Sequence, residues 1–378
     1  MNTIDPPLAL LAELTHRCPL SCPYCSNPLE MDARSAELDT ETWCRVLTEA
    51  KEIGALQVHF SGGEPTLRPD LADLIAHADK IGLYCNLITA AVSLTEKRLE
   101  SLKEAGLAHV QISFQGTDTE IADRIAGYKG AFERKTEAAA RVINAGLALT
   151  LNAVINRHNV EQLPDFFKMA ARLKARRLEV AHVQYYGWAL KNRAALLPSR
   201  TQVERTTQLV EDARQEYEGK MVIDYVVPDY YARRPKSCMN GWARRFFNIT
   251  PAGKVLPCHA AETIPHLSFP TVHDGSLSDI WHNDPAFNAY RGTDWMPETC
   301  QKCDNREIDW GGCRCQAMAL TGDAANMDPV CELSPFKDKV LEIAENDAGG
   351  DAPEFIYRVS PSLSKENASV SPDRNTDR

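Results

Sequence analysis

The chain has 378 residues, 44% of them hydrophobic, with 42 Lys and Arg against 52 Asp and Glu for a formal net charge of −10. That length buries a substantial core in one large domain or two smaller ones. The acidic balance, without clustered Lys and Arg, argues against binding to nucleic acid. The apolar run from Leu8 to Ala12 follows Asp5 and two prolines with no basic segment before it, so no secretory signal is expected. The most apolar stretch, Ala145 to Ile155, is too short to cross a bilayer. A cytoplasmic protein without a membrane segment is expected, and in that reducing compartment the 12 cysteines point to metal ligation or catalysis rather than disulfides.

Taken in chain order, Leu8–Leu14, Gln57–Phe60, Tyr84–Ile88, His109–Phe114, Leu147–Ile155 and Leu178–Val183 read as strands. Amphipathic helices lie between them. Trp43, Val46, Leu47, Ala50 and Ile53 recur at helical spacing behind Asp39 as an N-cap, with Gly54 as the stop. A second helix has Pro69 in its first turn, Leu71, Leu74, Ile75, Ala78 and Ile81 on its buried face, and Gly82 at its end. This α/β alternation predicts a parallel sheet, either open and doubly wound or curled into a barrel-like arc. Both gather chemistry at the carboxyl ends of the strands. A cysteine-rich loop follows the first strand and a Gly-Gly-Glu follows the second, which puts both at one rim.

The βα rhythm fills residues 1–199. A helical pattern (Gln202–Glu218) and a strand-like run (Met221–Val227) occupy a bridging stretch, 200–237. Residues 238–345 are rich in Gly, Pro and Cys with little periodic apolar sequence, and read as a module organised by metal. Residues 346–378 are polar and are expected to form a disordered tail.

The opening loop carries Cys18-Pro-Leu-Ser-Cys22-Pro-Tyr-Cys25. Its prolines keep it from closing into a helix, so three thiols can converge on one centre. Iron–sulfur clusters are held by thiolates, and three thiols leave one iron of a tetranuclear cluster open. A structural zinc site is the competing reading. The run His59-Phe60-Ser61-Gly62-Gly63-Glu64-Pro65 leaves the second strand through two glycines that let backbone approach a ligand, with carbonyls and a carboxylate able to accept from an ammonium group. By itself that run is equally an ordinary glycine turn.

Together, Cys-x3-Cys-x2-Cys and Gly-Gly-Glu in this order resemble the radical SAM enzymes. The resemblance implies a partial (β/α)6 TIM-type barrel and a [4Fe-4S] cluster on Cys18, Cys22 and Cys25. S-adenosylmethionine would bind the open iron, with Gly62, Gly63 and Glu64 around its methionine amine and Tyr24 near its adenine. Thr89, Ser113, Gln115 and Asn152 at later strand ends are candidates for its ribose or carboxylate.

Downstream, Cys238, Gly253-x4-Cys258, Cys300-x2-Cys303, Asp309, Cys313-x-Cys315 and Cys331 resemble the SPASM extension of the same enzymes, with a carboxylate at one position that is usually cysteine. Two auxiliary iron–sulfur clusters are implied. One, expected to be [4Fe-4S], takes Cys300, Cys303, Asp309 and Cys331. The other, [4Fe-4S] or [2Fe-2S], takes Cys238, Cys258 and Cys313, with Cys315 the nearest spare thiol for its fourth ligand. Cys44 and Cys85 are left as core residues.

The segments Ala12–Cys18, Cys25–Leu29 and Val180–Trp188 resemble the peptide cyclases of pyrroloquinoline quinone biosynthesis. The implied reaction joins a glutamate γ-carbon to a tyrosine ring carbon in the precursor peptide PqqA. It requires an external electron donor. His182, Gln184, Tyr185 and Tyr186 are candidates for the pocket, with core packing the other reading for the tyrosines. Because the first strand begins near Leu8, peptide capture is expected to depend on a separate small protein, PqqD, adding its strand to a sheet edge. Sulfatase maturation, thioether formation, a zinc-organised scaffold and a pure electron carrier are the alternatives. The scaffold leaves Gly62-Gly63-Glu64 unexplained, and the carrier leaves the large βα region unexplained.

Overall fold

The computed structural model describes residues 4–358. Nine strands form one sheet: β1 (Ala9–Glu13), β2 (Gln57–Ser61), β3 (Tyr84–Thr89), β4 (His109–Phe114), β5 (Ala148–Ile155), β6 (Arg177–His182), β7 (Val222–Val226), β8 (Phe246–Ile249) and β9 (Val255–Leu256). Their spatial order is β7-β6-β5-β4-β3-β2-β1-β8-β9. Every pairing from β7 to β8 is parallel, and only β8 with β9 is antiparallel. The sheet does not close on itself, since β7 and β9 are its two edges.

All six expected strands are present within one or two residues of their expected limits. Helices α1 (Thr40–Glu52), α2 (Leu71–Lys80), α3 (Glu96–Glu104), α4 (Thr119–Ala126), α5 (Ala131–Asn144) and α6 (Leu163–Arg172) connect them. Asp39 caps α1 by accepting from the Thr42 amide, and Trp43, Val46, Leu47 and Ala50 are buried. The expected start of α2 shifts: Pro69 lies before the helix and Asp70 takes the cap position. Strand alternation sorts the two faces of the sheet. In β4, Val110, Ile112 and Phe114 are buried with the helices in the main core, while His109, Gln111 and Ser113 sit on the other, half-buried face.

The structure adds two features to the expectations about the second half and departs from one. The bridging stretch is part of the sheet, because β7 pairs in register with β6. The cysteine-rich region is not held by metal ligands alone. Its strand β8 pairs with β1, and Trp242, Phe247, Ile249, Trp281 and Phe287 join the main core. The apolar residues are too dispersed along the sequence to show a period, yet they converge in space. Finally, the expected disordered tail is ordered over 346–358. A helix runs to Ala348, and the following chain packs back on the barrel rim, where it buries Arg358. Polar composition misleads here because the segment is held by hydrogen bonds to distant loops rather than by its own apolar content. Residues 359–378 lie outside the described residues.

Candidate active site

Loops from β1 and β2 meet at the carboxyl rim as expected. The Gly63 amide donates to the Thr15 carbonyl at 2.5 Å and the Glu64 amide to the Arg17 carbonyl at 2.7 Å, so the Gly-Gly-Glu run is laced to the chain leading into Cys18. Glycine is required for this approach. A Cβ on Gly63 would lie 2.3 Å from the Arg17 carbonyl oxygen, and one on Gly62, whose φ is +129°, 2.3 Å from the Thr15 carbonyl oxygen. The Glu64 carboxylate is fully buried and turned to its own side of the sheet. It accepts from the Thr66 amide (3.1 Å), the Thr89 hydroxyl (2.7 and 2.9 Å) and the Ala90 amide (2.8 Å). Thr89 is thereby hydrogen-bonded to both carboxylate oxygens of Glu64.

Cys18, Cys22 and Cys25 form one electrostatic group. Burial raises the thiol pKa of all three, to about 11 for Cys25, and Cys22 raises the other two further when it is ionised. Opposing this are two cations, Arg358 facing all three thiols and Lys135 facing Cys22. Buried thiolates so crowded need a bound cation to persist, which is the donor chemistry of an iron–sulfur centre.

Tyr24 has its hydroxyl at 2.5 Å from Gln115 Nε2 and in contact with the Cys22 thiol. Gln115 also meets Lys135, a residue that spacing did not single out. Lys135 on α5 is 1% exposed, its ammonium donates to the Ser113 carbonyl (2.9 Å) and to Gln115 Oε1, and burial brings its pKa down to about 8. Only the fold reveals it, since in the sequence it is one lysine on an amphipathic helix. Ser113, Asn152 and Glu179 occupy one row across β4, β5 and β6. Asn152 donates to Glu179 at 3.1 Å and leaves its Oδ1 buried without a partner among the described residues.

The seven downstream cysteines fall into two groups. The thiols of Cys238, Cys258, Cys313 and Cys315 form a ring, each in contact with two others. Cys258 receives hydrogen bonds from Cys238 and Cys315, which hold its pKa low. Cys315, the spare thiol, stands inside this ring. Cys300, Cys303, Asp309 and Cys331 line a separate small cavity together with Arg306 and Asp328. Burial raises the Asp309 carboxyl pKa, and the Gly311 amide donates to Oδ1 at 2.9 Å. Arg234 points at both Cys303 Sγ and Cys331 Sγ, 3.9 Å from each. Cys85 is buried and Cys44 packs half-buried against the core, both away from these groups.

Between the opening loop and the four-thiol ring stands Tyr186. Its hydroxyl shares a hydrogen bond with His259 Nε2, beside Cys258, and another with Ser26, beside Cys25. Tyr185 instead packs on Tyr230 with ring centroids 5.1 Å apart in a secondary core. His182 is 2% exposed and is kept neutral by burial, its pKa lowered to about 3, and Gln184 is held by Lys236.

Residues 12–170 match the radical SAM superfamily and residues 238–304 match an iron–sulfur cluster-binding domain, SPASM. A PqqA peptide cyclase of Bradyrhizobium diazoefficiens is 59% identical over 94% of this chain and 94% of its own. That of Granulibacter bethesdensis is 57% identical over 98% of this chain and 99% of its own. Among solved structures, Streptococcus suis SuiB bound to S-adenosylmethionine superposes with a TM-score of 0.74 at 21% identity, covering 88% of this chain and 79% of SuiB. The protein anSMEcpe with bound AdoMet gives 0.62 at 17% identity over 91% and 97%. These structures share the fold: the partial barrel with its cysteine-rich extension. The identity and near-complete coverage of the curated relatives carry the assignment further, and the chain belongs to the PqqA peptide cyclase family of radical SAM enzymes.

Proposed function

We propose that this chain cross-links the precursor peptide PqqA, joining a glutamate γ-carbon to a tyrosine ring carbon in pyrroloquinoline quinone biosynthesis. The observation that carries the reading is the arrangement of three thiol groups in one chain, with Tyr186 hydrogen-bonded to Ser26 beside the first group and to His259 beside the ring. When bound, the [4Fe-4S] cluster and S-adenosylmethionine supply a 5′-deoxyadenosyl radical able to take an unactivated hydrogen.

The protein's part is binding and placement. Cys18, Cys22 and Cys25 would hold the first cluster, and the backbone of Gly62 and Gly63 would meet the methionine amine. Lys135 offers a buried ammonium for the methionine carboxylate, with Gln115 and Ser113 orienting it. Tyr24 and the Ser113–Asn152 row fit the nucleoside, since Asn152 Oδ1 lacks a partner among the described residues. The ring of Cys238, Cys258, Cys313 and Cys315 would hold one auxiliary cluster, [4Fe-4S] or [2Fe-2S]. Cys300, Cys303, Asp309 and Cys331 would hold a second, [4Fe-4S] cluster with one harder oxygen ligand. Forming the carbon–carbon bond removes two hydrogens from the peptide overall: one leaves as an atom to deoxyadenosine, the other as a proton to a base or solvent and an electron that the auxiliary centres would accept.

PqqD is the partner proposed to deliver the peptide by pairing with a sheet edge. β7 is one such edge, with Val222 exposed. An external reductant is required, and 12 free cysteines suit the reducing cytoplasm. Among the described residues no helix is long and apolar enough to cross a membrane.

The test is to incubate the reduced, cluster-loaded protein with S-adenosylmethionine, PqqA and PqqD and weigh the peptide. A product lighter by two hydrogens, with a Glu–Tyr link located by fragmentation, is expected. An unchanged peptide accompanied by deoxyadenosine release would sink the substrate assignment. In the same assay, Lys135→Met should raise the KM for S-adenosylmethionine by about tenfold to a hundredfold, the worth of one charge-assisted hydrogen bond at a buried site. An unchanged KM would remove Lys135 from the binding site.

A further inference from the structure

We propose that Arg358 is a positioning residue for the first cluster. Residues 351–358 strap the chain's C-terminal part across the barrel rim and lay a buried guanidinium on the cysteine loop, where it holds the loop backbone and supplies fixed positive charge to the iron–sulfur centre. The inference rests on reading Cys18, Cys22 and Cys25 as cluster ligands.

The strap is tied down along its length. Arg157 donates to the Asp347 carbonyl at 3.3 Å and the Gly350 carbonyl at 2.7 Å. The Phe355 ring meets His158 edge-on, 4.9 Å between centroids, and the Tyr357 hydroxyl donates to the Arg124 carbonyl at 2.8 Å. Asn192, 2% exposed, brackets Ile356, accepting from its amide at 2.7 Å and donating to its carbonyl at 2.9 Å. The same Asn192 amide group donates to the Pro23 carbonyl at 3.0 Å, so one side chain joins the strap to the loop between Cys22 and Cys25.

Arg358 itself is 2% exposed. Its amide donates to the Ser21 carbonyl (3.3 Å), and its Nη2 to the carbonyls of Leu20 and, at 3.5 Å, Cys18. Nη1 lies 3.1 Å from Met31 Sδ, and Nε is buried with no partner among the described residues. Among those residues no carboxylate forms an ion pair with the guanidinium. A guanidinium buried against neutral acceptors alone is destabilising, and an adjacent anion offsets that penalty. The loop whose Leu20 and Cys18 carbonyls it binds is the one whose three cysteines would carry an anionic cluster, and that cluster is the counter-charge the geometry offers. Lys135 has two of its three N–H donors on Ser113 and Gln115, and Arg358 keeps its Nε without a partner among the described residues.

Full-length Arg358→Met and Arg358→Lys proteins, reconstituted with iron and sulfide, test this by redox titration followed by electron paramagnetic resonance. Removing a fixed positive charge disfavours the added electron. Arg358→Met should therefore lower the midpoint of the cluster that responds to S-adenosylmethionine by about 59 mV, a tenfold change in a one-electron equilibrium, with the auxiliary signals unmoved. Arg358→Lys should recover most of that shift. The amides of Leu20, Ser21 and Cys22 should exchange hydrogen about tenfold faster in the Met protein, because the side-chain clamp on the loop carbonyls is gone. An unchanged midpoint in Arg358→Met, or equal loss of the first cluster from the Met and Lys proteins, overturns the proposal. A wild-type protein without a signal responsive to S-adenosylmethionine overturns the ligand reading beneath it as well.

Discussion

Cys22→Ala is expected to bring 5′-deoxyadenosine formation down to the level of a reaction without enzyme, and to remove one cluster's share of iron while the auxiliary share remains. Cys22 touches Tyr24 and faces both Lys135 and Arg358. Losing even an outer partner of a metal ligand typically costs about tenfold to a hundredfold in affinity or activity. If Cys22 is a ligand as proposed, its loss leaves two thiols where three would hold the centre. Cys85→Ala is the matched control: it too removes a buried thiol, 1% exposed and bonded to the carbonyls of Leu83 and Ile75. It should cost about 1 kcal/mol of stability and no iron. Iron analysis and deoxyadenosine release on both proteins decide the matter, and wild-type activity in Cys22→Ala would remove that residue from the site.

Gly63→Ala should be nearly as damaging although it adds a single methyl group. The new carbon would lie 2.3 Å from the Arg17 carbonyl oxygen, 2.6 Å from that of His16 and 2.7 Å from the Arg17 carbonyl carbon. All three are backbone atoms, so no side chain can swing aside. The loop leading into Cys18 must move instead, breaking the paired amides of Gly63 and Glu64. Overpacking of this kind costs about 3 kcal/mol, and the displaced loop should also lose the first cluster. Gly350→Ala, where an added carbon meets nothing within 4 Å, should leave both thermal unfolding and iron content unchanged. If Gly63→Ala matched Gly350→Ala in both measurements, the close approach of the two loops would not hold in solution.

Much of the first half is legible because its signals are local. Apolar residues at helical spacing, caps such as Asp39 and stops such as Gly54 depend on neighbours a few positions away, and the six strands fall where alternation and apolar runs put them. The cysteine spacings are equally local, and with Gly62-Gly63-Glu64 they point to the chemistry before any coordinates. The second half is harder to read. β8 forms because β1 offers an unpaired edge, and Trp281 and Phe287 are buried by elements distant in sequence. No window on the chain contains that information.

The sequence by itself therefore determined the chemistry available: which thiols exist, at what spacing, with Asp309 among them, and that a parallel sheet brings the first loop and the glycine run to one rim. Tertiary structure alone decided the company those groups keep. It placed Cys315 in the ring with Cys238, bonded the Glu64 carboxylate to Thr89, and set the Tyr186 hydroxyl between His259 and Ser26. It also brought Lys135, from a helix in the middle of the chain, and Arg358, from beyond the last helix, to the same cysteine loop. Such groups meet only once the sheet has formed and the strap has packed across its rim, because their attraction acts over a few ångströms of space and not along the chain.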